Sequence, residues 1–255
     1  MALPHRAFVY FLLLMTARVT GAVNTSTSTL SHEKIRVHII SHTHDDPGWI
    51  KTADQYFDQE VHALLNNSIA SLLANSSRIF HYVEMVYFKR WWEMQTESVQ
   101  ASVRELVAVG RLIFLTGGLC MNDEAGTHVG AIVDQMAWGH SFLNDTFGPA
   151  ALPNISWQID PYGHSAAYAA LVQAMGFDAF VGQKISNQVH DLRAANKSLE
   201  FEWMPSGGGY TPDTTDPLIG HILYDNTAGY CYSFKHGVFD DPSKPSFNIE
   251  KVPDC

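Results

Sequence analysis

The chain has 255 residues, 46% of them hydrophobic, enough apolar content for one large domain with a core of its own. Its net charge of −10 and pI near 5.6, with no basic cluster, argue against nucleic acid as a partner.

His5 and Arg6 open the chain with a short polar, positive segment, and an apolar run follows from Ala7 to Ala17. That run is about 11 residues, too short to span a bilayer as a helix. Thr20-Gly21-Ala22 then offers small residues at a cleavage site. Residues 1–22 are therefore expected to be a secretory signal peptide cut after Ala22, and 23–34 a Ser/Thr-rich leader. Asn24, Asn66, Asn75, Asn144, Asn154 and Asn196 each head an N-x-S/T sequon, which agrees with a lumenal, glycosylated protein. No later stretch is long and apolar enough for a membrane span, so the mature protein is expected to be soluble and lumenal. The cysteines are Cys120, Cys231 and Cys255. Either Cys231 pairs with Cys255 and leaves Cys120 as a buried thiol, or Cys255 has its partner outside this chain.

Residues 35–255 read as one α/β domain. Ile35, Val37 and Ile39 alternate with Arg36 and His38, which predicts a strand running into His42-Thr43-His44-Asp45-Asp46-Pro47-Gly48-Trp49. In extended chain, residues i and i+2 point the same way, so His44 and Asp46 can converge on one ion. Imidazole with carboxylate suits a zinc-type divalent metal. Pro47-Gly48 turns the chain and leaves Trp49 beside the site. An isolated His-x-Asp is otherwise a polar loop whose side chains cap a helix, and a second motif has to decide.

A helix is expected over Asp54 to Leu73, with Phe57, Val61, Leu64, Leu65 and Leu72 at helical spacing. Ile79 to Val83 reads as a strand. A helix from near Ser98, carrying Val99, Val103, Leu106 and Val107, stops at Gly110. Leu112 to Thr116 is a strand ending at Gly117-Gly118, and Asn122 is read as the cap of a helix running to about Leu143. Ile155, Trp157 and Ile159 alternate with Ser156, Gln158 and Asp160, so Asp160 closes a strand on its polar side before Pro161-Tyr162-Gly163. Two acidic strand ends with the same Pro/Gly punctuation fit α/β proteins, which build sites at the carboxyl ends of parallel strands. Ser165 to Met175 is a helix stopped by Gly176, and Phe177 to Val181 a strand. From about Lys184 the regularity fades into a loop-rich tail. Alternating strands and helices predict a parallel sheet covered by helices, open or closed into a barrel.

These motifs resemble glycoside hydrolase family 38, the α-mannosidases, and its lysosomal branch most of all. His42 to Trp49, continued by Lys51-Thr52-Ala53-Asp54-Gln55-Tyr56-Phe57, resembles the family's first signature. Tyr82-Val83-Glu84-Met85 with Arg90-Trp91-Trp92 resembles the next block. The third runs through Thr116-Gly117-Gly118, Met121-Asn122-Asp123-Glu124-Ala125 and Gly130-Ala131-Ile132-Val133-Asp134-Gln135-Met136, and Ile159 to Ser165 is the fourth. The likeness spans roughly Ile35 to Gln183.

The resemblance implies a zinc-dependent, retaining exo-α-mannosidase on a seven-stranded parallel β/α barrel, acting on terminal α-mannose of glycans in a lysosomal lumen. By position it makes His44 and Asp46 zinc ligands, Asp160 both a third ligand and the catalytic nucleophile, and Trp49 and Tyr162 aromatic residues of the sugar subsite. Lys184 stands where the family usually has an Arg and is given no role. The family's fourth ligand, a His, its acid/base Asp and its three-helix and β-rich domains lie farther along than this chain extends. The barrel is therefore expected to be incomplete, and this chain alone to hydrolyse no α-mannoside at a family-like rate. Two other readings compete: a non-catalytic lumenal mannoside-binding remnant, and a metal-dependent polysaccharide deacetylase. Asp45-Asp46 gives the deacetylase slight support, but its His-x-x-x-His is missing from the sequence.

Overall fold

A computed structural model describes His38, residues 40–205 and residues 217–223. The elements of the described residues all lie within Ile39–Cys255. The segments expected to be a signal peptide and a leader, Asn24, Cys231, Cys255 and most of the strand expected at Ile35 to Ile39 lie outside the described residues.

The first long helix is built in three pieces: α1 (Ala53–Tyr56), a π-turn (Phe57–Val61) and α2 (His62–Ala74). Thr52 and Gln55 form a capping box at its start, each side chain bonded to the other's backbone N–H. Its buried stripe is Phe57, Val61, Leu65, Ile69 and Leu72. Strand β1 (Phe80–Tyr82) leads into α3 (Met85–Glu93), which sequence periodicity did not anticipate. That helix buries Met85, Tyr87, Phe88, Trp91 and Trp92 and leaves Lys89, Arg90 and Glu93 on its other side, so its helical period is present but runs for only nine residues. Helix α4 (Glu97–Ala108) is capped by Thr96 and β2 (Leu112–Phe114) follows, both close to expectation.

Helix α5 (Val129–Phe147) begins several residues later than expected. His128 caps it through Gly130 N–H, whereas Asn122 is buried and accepts from Gln135 Nε2 at 3.3 Å. β3 (Ile155–Gln158), α6 (Ala166–Ala174, capped by Ser165) and β4 (Ala179–Gly182) match the expected order. The fading of regularity after Lys184 does not hold for the described residues. Helix α7 (Asn187–Ala195) and strands β5 (Glu200–Trp203) and β6 (Leu218–Ile222) lie there. The three are short and α7 is rich in polar residues, which is why the pattern was hard to see.

β1 and β2 pair in parallel, and a second sheet has the order β3-β4-β6-β5, parallel except for β5. His42 adds a parallel bridge to His81. Thr116, at φ 56°, stitches the two sheets: its N–H donates to Ile155 O at 2.9 Å and its hydroxyl accepts from Trp157 N–H at 2.7 Å. The fold is thus mixed α/β with small sheets, and the described residues form no closed seven-stranded barrel. Val83, Leu115, Trp157 and Ile159 share one buried cluster, and His42 packs edge-on to Trp157 at 5.0 Å. Ser156 and Gln158, the polar side of β3, are fully buried: Ser156 bonds Tyr168 of α6 and Gln158 donates to Asn122 O.

Gly139 decides how close α5 comes to the β2 end. A Cβ there would lie 2.0 Å from the Gly117 carbonyl oxygen, a backbone atom with no rotamer to escape into. Gly139→Ala is expected to destabilise the chain by about 1–3 kcal/mol or more through overpacking. At about 2–4 °C per kcal/mol for a domain of this size, Tm should fall by roughly 2–12 °C. An unchanged Tm in a thermal scan would show that α5 is free to lift off Gly117.

Candidate metal centre

The extended segment after His42 brings His44 and Asp46 to the carboxyl side of the sheet, and the bend after β3 brings Asp160 to meet them. One ligand atom from each lies within 4.8 Å of the other two. His44 Nε2 is 3.1 Å from Asp46 Oδ1 and 3.5 Å from Asp160 Oδ2. Ligands of a tetrahedral zinc with bonds of ~2.0–2.1 Å stand about 3.3 Å apart, and the two spacings from His44 Nε2 are of that size. The imidazole lies at the back, 19% exposed, with Asp46 and Asp160 in front at 39% and 43%, so the group opens on one side to solvent. Three protein ligands with an open position is the pattern of a catalytic rather than a structural metal.

Charge is concentrated here. Burial alone would depress the His44 pKa, yet Asp160, Asp46 and Glu84 around it win and push it up to about 12. His44 holds the Asp160 carboxyl well below the usual carboxylate range, against the effect of burial and with help from Lys184. Lys184 Nζ donates to Asp160 Oδ1 at 2.5 Å, leaving Oδ2 to face His44. Asp45, between His44 and Asp46, turns the other way and accepts from Tyr82 OH at 3.0 Å. Burial and the neighbouring Glu84 raise its pKa to about 7.

The supports come from two places. Tyr87 OH donates to the Asp46 carbonyl at 2.8 Å, so α3 fixes the metal segment from behind. On the other side, Glu124 accepts from Ser165 N–H at 2.7 Å and lies 3.0 Å from His164 Nδ1, which pins the turn after Asp160.

Of the residues singled out from sequence, His44, Asp46 and Asp160 come together. Trp49 and Tyr162 do not enter the group: they stand on the surface, 76% and 89% exposed. Tyr162 has the Lys184 ammonium 4.3 Å from its ring centroid. Lys184, given no role beforehand, is the nearest cation to Asp160, and its position after a strand end was the available signal. Cys120 is a half-buried free thiol whose pKa burial raises. Asp178 is held by Asn154 Nδ2 at 2.7 Å. The carboxylates at 213, 216, 225, 240 and 241 lie outside the described residues.

Comparison with known proteins agrees with the motifs. Residues 34–239 match the Glycosyl hydrolases family 38 N-terminal domain. Lysosomal alpha-mannosidase of Cavia porcellus is 40% identical over 98% of this chain, and that of Felis catus 45% identical over 86%. The matched region is 26% and 23% of those two proteins, so the chain spans about a quarter of the length of these curated relatives. The crystal structure of an alpha-mannosidase from Enterococcus faecalis V583 superposes with a TM-score of 0.55 at 16% identity, covering 72% of this chain and 20% of that one. At that identity the likeness speaks for the fold alone.

Proposed function

The chain belongs to glycosyl hydrolase family 38 through its N-terminal domain, and from that premise we propose that it carries the metal-binding and nucleophile half of a zinc-dependent, retaining α-mannosidase. Its substrates are mannose-terminated glycans of a lysosomal lumen, reached by way of the signal peptide, and its sheets are part of a seven-stranded barrel. The convergence of His44, Asp46 and Asp160 within 4.8 Å carries this reading. The names of the relatives support its substrate and compartment.

His44, Asp46 and Asp160 would hold the zinc. Once bound, it would supply a template for sugar hydroxyls and a Lewis acid at the reacting ring. The other steps belong to the chain's own groups. A retaining glycosidase needs one carboxylate that is ionised and aimed at the anomeric carbon. Asp160 meets the first requirement even in an acidic lumen, because His44 and Lys184 hold its pKa low. Lys184 also fixes the rotation of that carboxylate by occupying Oδ1. The exposed faces of Trp49 and Tyr162 are suited to stack on a sugar ring. Among the described residues near the metal group, Asp45 and Glu84 are turned into the protein and are poor partners for a leaving oxygen. The general acid is therefore not assigned to them. No helix of the described residues is long and apolar enough to cross a membrane.

Zinc content and turnover of an aryl α-mannoside, measured on the same purified protein, test the reading. About one zinc per chain is expected, lost in His44→Ala, with any turnover abolished in Asp160→Asn. A folded chain that takes up no zinc, or turnover that survives Asp160→Asn, would overturn it. Mannose binding with zinc but without turnover would favour the mannoside-binding remnant.

A further inference from the structure

Glu84 is the least explained charge in the molecule. It stands at the N-cap of α3 and is 0% exposed. A carboxylate there ordinarily accepts from the first helical N–H groups. Here its side chain makes no cap hydrogen bond, because those donors are already taken. Met85 N–H donates to Gly118 O at 3.0 Å and Val86 N–H to Leu119 O at 3.1 Å. A buried carboxylate excluded from capping is costly unless another charge faces it. The charge that faces it is His44: Glu84 Oε1 lies 3.6 Å from His44 Nδ1, on the side of the ring opposite Asp46 and Asp160.

We propose that Glu84 is a positioning residue for the metal: it takes the Nδ1–H of His44 and thereby aims the Nε2 lone pair at the point shared by Asp46 and Asp160. A metal-bound imidazole characteristically donates its other N–H to a carboxylate or carbonyl, which fixes both tautomer and ring orientation. The 3.6 Å separation is longer than a formed hydrogen bond. The bond to Glu84 and the capture of metal at Nε2 therefore form together, the one tightening as the other loads. The same β1–α3 corner holds all three residues of the metal segment. Tyr82 bonds Asp45, Glu84 faces His44, and Tyr87 bonds the Asp46 carbonyl. This proposal rests on the metal reading of His44, Asp46 and Asp160 given above.

The test compares the full chain with Glu84→Gln, which keeps the volume and loses the charge, by Zn2+ affinity in a chelator competition and by long-range 15N–1H histidine spectra. The variant is expected to bind Zn2+ about 10–100-fold more weakly. The downfield Nδ1–H resonance of zinc-loaded His44 should move upfield, with Tm in chelator little changed. Should the Gln variant fail to fold, Glu84→Asp, which keeps the charge but withdraws it by one methylene, is read in the same two ways. Affinity within about threefold of the parent, or weaker binding with the His44 resonance unmoved, would overturn the role of Glu84 and leave the metal reading standing. A parent chain that binds no Zn2+ would overturn both.

Discussion

His44→Ala is expected to abolish tight binding of a divalent metal, weakening Zn2+ affinity by at least about 100-fold, since loss of a neighbour that only orients a ligand already costs 10–100-fold. The imidazole is the centre of the group: its Nε2 reaches both Asp46 and Asp160, and removing it leaves two carboxylates with no nitrogen donor. The same residue dictates how binding responds to pH. With its pKa pushed up to about 12, His44 carries a proton throughout the working range, and the metal must displace it. Each ion bound therefore releases that proton, and apparent affinity should rise by about tenfold per pH unit between pH 5 and 8. Asp160 adds no slope, because its pKa is held far below that window. Isothermal titration in two buffers of different ionisation enthalpy counts the proton directly. A pH-independent affinity, or one that survives His44→Ala, would mean that the metal sits elsewhere.

How much of this was legible in the sequence differs from part to part. His44, Asp46 and Asp160 were found because each stands where an apolar alternation stops and a Pro/Gly turn begins. The helices over Ala53–Ala74 and Glu97–Ala108 were visible from apolar residues at helical spacing, and Ala166–Ala174 from its bounds at Ser165 and Gly176. Glu84 was not legible as a site residue. It is a lone acid in Tyr82-Val83-Glu84-Met85, and only the capture of the α3 N–H groups by Gly118 and Leu119 shows that it is not a cap. Reading Asn122 as a cap failed because it is an equally good buried hydrogen-bonding residue, and burial is not written in a short polar pattern. Strand parity was also misleading. Ser156 and Gln158 look like a solvent face yet lie beneath α6 and the Asn122 segment, while Asp160 reaches the metal group only because the chain bends after Gln158.

The metal-free chain is expected to lose stability steadily above about pH 4, and Asp45→Asn to remove much of that loss. Asp45 has its pKa raised from 3.8 to about 7 by burial and by Glu84. Below 3.8 the residue is protonated in both states and contributes nothing. Between 3.8 and 7 the unfolded chain gives up the proton while the folded chain retains it, so unfolding becomes easier as pH rises, and the penalty is complete above 7. His44 acts in the same direction at higher pH. Its raised pKa stabilises the fold fully below 6.5, and that contribution drains away as pH climbs toward about 12. Asp160 acts in the opposite direction: its lowered pKa stabilises the fold above 3.8 and is lost as pH falls through the folded value. The three together place the best stability of the metal-free site near pH 4, on the acid side of neutrality. Asparagine at position 45 can still accept from Tyr82 OH but has no proton to lose, so only the Asp45 share of the pH dependence should vanish. A penalty of a few kcal/mol, at about 2–4 °C per kcal/mol, corresponds to a Tm gain of about 5–10 °C for the variant at pH 7, with little gain at pH 4. Thermal scans in chelator at the two pH values decide it: an equal gain at both would show that Asp45 acts through packing and not through its charge.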